Sequence, residues 1–221
     1  MKVRQISPSD TYLIRNKVLR PGRDITTCYF KDDDRDQTLH LGAFIEKKLV
    51  SVASFYFQSS PTFESLGQYQ LRGMATLPEF RGQGYSSELL KFGFPLIKRN
   101  FCDLVWCNAR LNAIDFYKKV EKLSPFGSGN PEPKFIIENV KVLKSLIVGK
   151  NHIKSILLSK DGSNVKSIAF NSYETDLGQF LLNNKKNTFN IVGKLSLNEW
   201  KGEKNVEFII DDISVNKTHK I

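Results

Sequence analysis

Apolar and polar positions follow two different rhythms along this chain, and the change falls near its middle. In the first half, His40–Phe44 and Lys48–Phe57 are apolar-rich runs on either side of Glu46-Lys47, which predicts a pair of strands joined by a tight turn. Gln68–Thr76 predicts another strand, and Leu104–Ala109 a buried one. Helical spacing of apolar residues marks Gly82–Arg99 and the short Asn112–Val120, while Ser7-Pro8-Ser9-Asp10 caps a helix running to Leu19. Gly93-Phe94-Pro95 is expected to interrupt the Gly82–Arg99 helix, because an interior proline costs about 3 kcal/mol.

A break follows at Ser124-Pro125-Phe126-Gly127-Ser128-Gly129-Asn130-Pro131-Glu132-Pro133, where three prolines and two glycines rule out a continuing helix or central strand. Beyond it the pattern is strand-like: Phe135–Val148, His152–Ser159 and, after the Asp161-Gly162 turn, Val165–Phe170. Tyr173–Leu182 returns to helical spacing, and Phe189–Trp200 and Val206–Val215 alternate around a hairpin at Lys201-Gly202-Glu203. Three strands, a helix and two strands is the order of a five-stranded OB barrel. The expected fold is thus an α+β mixed sheet with helices, followed by an OB-like five-stranded β-barrel.

Composition narrows the picture. The chain has 221 residues, 40% hydrophobic and 25% charged, ordinary values for a globular protein. No apolar run nears the roughly 20 residues of a membrane helix, and Met1-Lys2-Val3-Arg4-Gln5 leads into polar sequence without a secretory core. A cytoplasmic protein with no membrane partner is expected. Cys28, Cys102 and Cys107 lack metal or disulfide spacing, and His40, His152 and His219 lie far apart, so no metal is expected. The net charge of +10 is shared: residues 1–120 carry 18 Lys+Arg against 12 Asp+Glu, and residues 121–221 carry 15 against 11. Such an excess suits a polyanion, either cofactor phosphates or a nucleic acid.

The most specific chemistry lies in residues 68–90. A strand runs into the glycine-containing turn of Leu77-Pro78-Glu79-Phe80-Arg81-Gly82-Gln83-Gly84, and the turn opens a helix. Gly82 and Gly84 permit positive φ and close backbone approach, and the unpaired amides of the first helical turn converge on one point that suits a pyrophosphate. A tight turn without a ligand would use the same glycines. The run Arg81-x-x-Gly84-x-Ser86 resembles the GNAT acetyltransferase pattern Gln/Arg-x-x-Gly-x-Gly/Ala, departing only at Ser86. A dinucleotide fingerprint does not fit the spacing. Asn112-Ala113-Ile114-Asp115-Phe116-Tyr117-Lys118-Lys119 resembles a second GNAT segment, in the right order and about 30 residues on.

This resemblance implies acetyl-CoA as acyl donor, held by Arg81, Gly82, Gln83, Gly84, Tyr85, Ser86 and Ser87. In the family a strand bulge polarises the thioester carbonyl through backbone amides, which falls here at Met74 and Ala75. Asn112 would touch the pantetheine arm, and Tyr117 would protonate the departing thiolate as the catalytic acid, a role typically worth 10²–10⁴ in rate. The base stays open: Gln70 and Arg72 lie on the right strand but are not bases, which leaves Glu64 or a water chain. The two closing strands of a GNAT domain are not recognisable after Val120.

The second half resembles another family. Pro125-Phe126-Gly127-x-Gly129-Asn130-Pro131-Glu132-Pro133, Val148-Gly149-Lys150-Asn151-His152, Ile168-Ala169-Phe170 and Leu197-Asn198-Glu199-Trp200-x-Gly202 are similar to the OB-type domain of RecJ single-strand exonucleases. Its nuclease motifs are absent, so no nuclease is expected; single-stranded DNA binding is what the resemblance implies. Lys150, His152, Lys154 and Lys166 would meet phosphates, and Phe170 and Trp200 either stack on bases or fill the barrel core. The expected organisation is a GNAT acyltransferase domain at 1–120, a linker at 121–134 and a RecJ-like OB domain at 135–221. Three outcomes compete: an N-acyltransferase acting on an unidentified amine with an appended DNA-binding module, a non-catalytic single-stranded-DNA-binding module, and a chimera without activity.

Overall fold

The computed structural model describes residues 1–100, 102, 104–109, 132–184, 187–200 and 203–215, the side chains of 197–200, 203–205 and 215 excepted. The chain divides into two compact units, one holding Met1–Cys107 and the other built from Pro133 onward.

In the first unit, strands β1 (Lys2–Gln5), β2 (Leu39–Ile45), β3 (Lys48–Phe57), β4 (Gln68–Thr76) and β5 (Leu104–Ala109) lie side by side in chain order. The pairs are antiparallel except β4–β5, which is parallel. A parallel pair requires a crossover, and α2 (Tyr85–Arg99) supplies it. Helix α1 (Pro8–Leu19) packs on the opposite face, where Ile14 joins Val52 and Ala75 in one apolar cluster. Its entry is held by the Ser7 amide, which donates to the Asp10 carboxylate at 3.0 Å. Strand β1 is a short edge strand with mostly exposed side chains, so no apolar alternation announces it; it is recruited by backbone pairing with β2.

Helix α2 runs unbroken through Gly93-Phe94-Pro95, contrary to the interruption expected from the proline. Leu89, Leu90, Phe94 and Ile97 are buried against the sheet, with Phe94 edge-on to Phe55 at 6.2 Å. Pro95 itself is exposed, so the Lys91 carbonyl it frees lies on the solvent side. Burial of one apolar face outweighs the lost hydrogen bond.

The second unit is a closed barrel of β6 (Lys134–Val148), β7 (His152–Leu158), β8 (Asn164–Ala169), β9 (Phe189–Trp200) and β10 (Glu203–Val215), with α3 (Asp176–Asn183) between β8 and β9. Pairing runs β6–β7–β8–β10–β9 and returns to β6. Closure depends on β6 serving two partners: Phe135–Val140 pairs with β9 and Lys141–Val148 with β7. The switch falls at Asn139, which has φ 57° and whose amide is capped by Asn190 Oδ1 at 3.0 Å. A bulge of this kind bends a long strand around a barrel corner. Val140, Ile153, Leu157, Phe189, Ile191 and Phe208 fill the interior, and Phe180 of α3 meets Phe189 edge-on at 5.0 Å.

Candidate active site

The first unit brings three things to one end of β4. The first is the glycine turn. Gly82 has φ 79° and Gly84, the N-cap of α2, has φ 89°. A Cβ at either position would meet nothing within 4 Å, so the turn faces open space and only its backbone conformation requires glycine. The amides of Tyr85, Ser86 and Ser87 form the first turn of the helix, where no carbonyl of the helix can receive them. Tyr85 is buried and packs edge-on to Phe80, which anchors the helix start. The Ser86 hydroxyl lies 3.0 Å from Thr76 Oγ1, so the side chain that departs from the family pattern is engaged with the strand. Arg81 and Gln83 are exposed; Arg81 Nε reaches the Thr76 carbonyl at 3.4 Å, and Gln83 donates to the Glu79 carbonyl at 3.2 Å.

The second feature is an irregularity in β4. Val52 pairs with Ala75 and Ser54 with Arg72, so Gly73 and Met74 together oppose Ala53. Gly73 has φ 60°, and a Cβ there would stand 2.8 Å from Arg15 Nε and 3.1 Å from Phe30. Met74 is half-buried and Ala75 buried. Such a bulge turns backbone groups out of the ladder.

The third is a buried polar network that the hydrophobic pattern did not disclose. Arg15, fully buried in α1, donates to both oxygens of Asp33 at 2.8 and 3.1 Å, to Ser54 Oγ at 2.8 Å and to the Tyr56 hydroxyl at 2.9 Å. Asp33 also accepts from the Phe30 amide and, closely, from the Tyr56 hydroxyl. His40 Nε2 lies 2.8 Å from the Asp33 carbonyl oxygen, which can only accept, so Nε2 carries the proton, and Nδ1 lies 2.7 Å from the Ser54 hydroxyl. Burial favours the neutral ring, so its 3.9 Å approach to Asp33 Oδ1 is not counted as an ion pair. Burial raises the Asp33 carboxyl, but bonds from Arg15, Tyr56 and the Phe30 amide, with the Arg15 charge, hold it below the usual carboxylate range. Burial likewise pushes His40 down and the Tyr56 phenol up. His40 is thus enclosed structure rather than an open base, and Glu64 is exposed in the β3–β4 loop. The expected Asn112 and Tyr117 lie outside the described residues.

In the barrel, His152, Lys154, Ile156 and Leu158 alternate outward along β7, while Ile153, Ser155 and Leu157 face in. His152 stands edge-on to Phe170 at 5.3 Å, and its Nδ1 accepts the Asn171 amide at 2.9 Å. Phe170 is 52% exposed and so does not fill the core. Lys150 and Lys166 are exposed. Lys154 is paired with Glu207 on β10 at 2.9 Å. The Trp200 side chain lies outside the described residues. Among the described residues no group of three or more potential metal ligands occurs, and no helix is long and apolar enough to cross a membrane.

Comparison with known proteins matches the two halves of the chain to different families. The model of the acetyltransferase (GNAT) family matches residues 9–121, and that of the RecJ OB domain matches residues 107–212. The uncharacterized N-acetyltransferase YitI of Bacillus subtilis (strain 168) is 40% identical over 120 residues, covering 54% of this chain and 80% of that protein. The single-stranded-DNA-specific exonuclease RecJ of the same organism is 28% identical over 117 residues, 52% of this chain but only 14% of RecJ. Among solved structures, the ribosomal-protein-alanine N-acetyltransferase from Brucella melitensis biovar Abortus 2308 is 16% identical with a TM-score of 0.46, covering 57% of this chain and 94% of that one. The family match spans the strand, glycine turn and helix described above, and with it this chain belongs to the GNAT acetyltransferase family, joined to a segment that matches the RecJ OB domain.

Proposed function

We propose that the first unit binds acetyl-CoA at the glycine turn and transfers the acetyl group to an amine. The observation that carries this is Gly84 in the left-handed region at the start of α2, with open space before it and the amides of Tyr85, Ser86 and Ser87 behind it. A pyrophosphate placed there meets helix-terminal N–H groups and the positive end of the helix dipole, with exposed Arg81 beside it. Bound acetyl-CoA supplies an activated acyl carbon, which an amine attacks to form an amide as the C–S bond breaks. The bulge at Gly73–Met74 interrupts the ladder, and backbone amides released there would stabilise the developing negative charge on the acyl oxygen, as such donors do most strongly where water is excluded. Asn112 would hold the pantetheine arm, and Tyr117 would return a proton to the thiolate.

Calorimetric titration with acetyl-CoA tests the binding step; absence of heat and of any thermal shift would reject it. Tyr117→Phe is expected to lower the rate at saturating donor by 10²–10⁴ while leaving acetyl-CoA affinity nearly unchanged, because the phenol is needed in the transition state. Equal rates for the two proteins would assign the proton to water or to another group.

For the second unit, the outward face of β7 and β8 supports binding of single-stranded DNA. Lys150 and Lys166 offer cations, and the exposed Phe170 ring beside His152 offers a stacking face. Lys154, already paired with Glu207, contributes less. Binding to an oligothymidine should weaken steeply between 50 and about 200 mM salt, since phosphate contacts release counterions. Phe170→Ala should cost about 1–3 kcal/mol, the usual worth of one stacked base. Fluorescence anisotropy that shows no salt-sensitive association would leave the barrel without this role.

A further inference from the structure

Three guanidinium groups converge on one aromatic ring beside the β4 bulge. Arg15, Arg72 and Arg20 place their central carbons 4.3, 5.0 and 5.5 Å from the centre of the Phe30 ring. Among the described residues only one carboxylate pairs with any of them: Asp33 is taken by Arg15. The other described ion pairs of this unit join Arg35 to Asp32, Lys48 to Glu79 and Lys91 to Glu88, so neither Arg20 nor Arg72 has an acidic partner within 4 Å. Both are half-buried, where water screens the repulsion between them only in part. Arg72 also lies over the Tyr56 ring, its central carbon 5.4 Å from the ring centre, and an aromatic ring takes none of its N–H groups as an in-plane acceptor would.

A second unmet group lies on the same strand. Gln70 is 5% exposed, and its Oε1 is buried with no hydrogen-bond partner. Leaving such an acceptor unpaired costs about 1–3 kcal/mol, so an oxygen kept this way fits one that is waiting for a donor. Gln70 and Arg72 are two residues apart on β4 and pair with Tyr56 and Ser54 of β3, which places them on one face of the sheet. Two strand residues span roughly 6.6 Å. One end of this span calls for an anion and the other for an N–H donor, and Arg72 directly precedes the bulge at Gly73–Met74.

We infer that Arg72 and Arg20 form an anion subsite for the acyl acceptor, and that the acceptor is an amine bearing its own carboxylate. The carboxylate lies between the two guanidinium groups, and the amine donates to Gln70 Oε1 within reach of the bulge. This rests on the acetyltransferase reading given above. Arg15 has no part in the subsite, because its charge is spent on Asp33.

The test uses the full chain, first titrated with acetyl-CoA and then, at saturating acetyl-CoA, with 4-aminobutanoate, 3-aminopropanoate and L-lysine, each beside its carboxamide. Binding is read by calorimetry and turnover by release of free thiol. At least one acid should bind tenfold or more tightly than its amide. Arg72→Gln should raise the Kd of that acid ten- to a hundredfold, toward the value for the amide, with the amide itself and acetyl-CoA unaffected; Arg72→Lys should restore part of the difference. Should Arg72→Gln fail to fold, Arg20→Gln, at the C-terminal end of α1, should show the same selective loss. Acids and amides that behave alike, absence of binding by both included, would overturn the subsite while leaving the acyltransferase reading intact. Failure of acetyl-CoA itself to bind would instead remove that reading, and the subsite with it.

Discussion

Asp33→Ala is expected to destabilise the first unit by about 3–5 kcal/mol, more than any surface change in it. The reason is what the substitution leaves behind. Arg15 is fully buried and its Nε already lacks a partner, so losing both carboxylate oxygens strands an uncompensated charge in the core. Breaking a buried pair from one side costs far more than the pair contributes relative to an apolar replacement. Tyr56 and the Phe30 amide would lose their acceptor at the same time. Urea unfolding followed through the fluorescence of buried Trp106 measures this; a change below about 1 kcal/mol would show that the network relaxes or fills with water.

The same network sets the direction of the pH dependence. Native His40 is held neutral below its ordinary 6.5, so between that value and its lowered native value the unfolded chain binds a proton that the folded one refuses. Stability is therefore lost as pH falls through this window. A second loss starts near 3.8, where unfolded Asp33 protonates while the native carboxylate stays ionised. Both contributions run the same way, toward acid lability, and His40→Gln should flatten the upper part of the curve.

Gly84→Val is expected to reduce acetyl-CoA affinity at least a hundredfold with little change in the rest of the fold. A β-branched residue at φ 89° costs about 1–3 kcal/mol in backbone strain, and the chain can relieve it only by shifting the first turn of α2. The added side chain meets no protein atom within 4 Å of its Cβ, so it projects into the space that the phosphates need. The loss should therefore appear as weaker binding with the circular dichroism spectrum retained. Wild-type affinity in a folded Gly84→Val protein would move the phosphate site elsewhere.

Gly73 offers an instructive contrast. It too has positive φ, but a Cβ there collides with Arg15 and Phe30, so its requirement comes from packing as well as conformation. Nothing in the local sequence distinguishes the two glycines. Their difference lies in what the rest of the chain places beside them.

Local signals carried a good part of this protein. Gly82-Gln83-Gly84 ahead of Tyr85 marked a helix start because φ preference and amide geometry are properties of a few consecutive residues. Strands β2, β3 and β4 followed from apolar runs bounded by turn residues, and the barrel order followed from the spacing of strands and one helix after Pro133. Helix α2 passed through Pro95 because the sheet holds its apolar face, a force absent from any local window. The Arg15–Asp33–Ser54–Tyr56–His40 network was invisible for a related reason. Its members come from α1, a loop, β2 and β3, up to 41 residues apart, and each reads locally as an ordinary polar position. Asp33 sits between Asp32 and Asp34, and nothing in that run singles out the middle carboxylate. Only folding decides which of the three is buried against a guanidinium, because desolvation and pairing are set by neighbours distant in the chain.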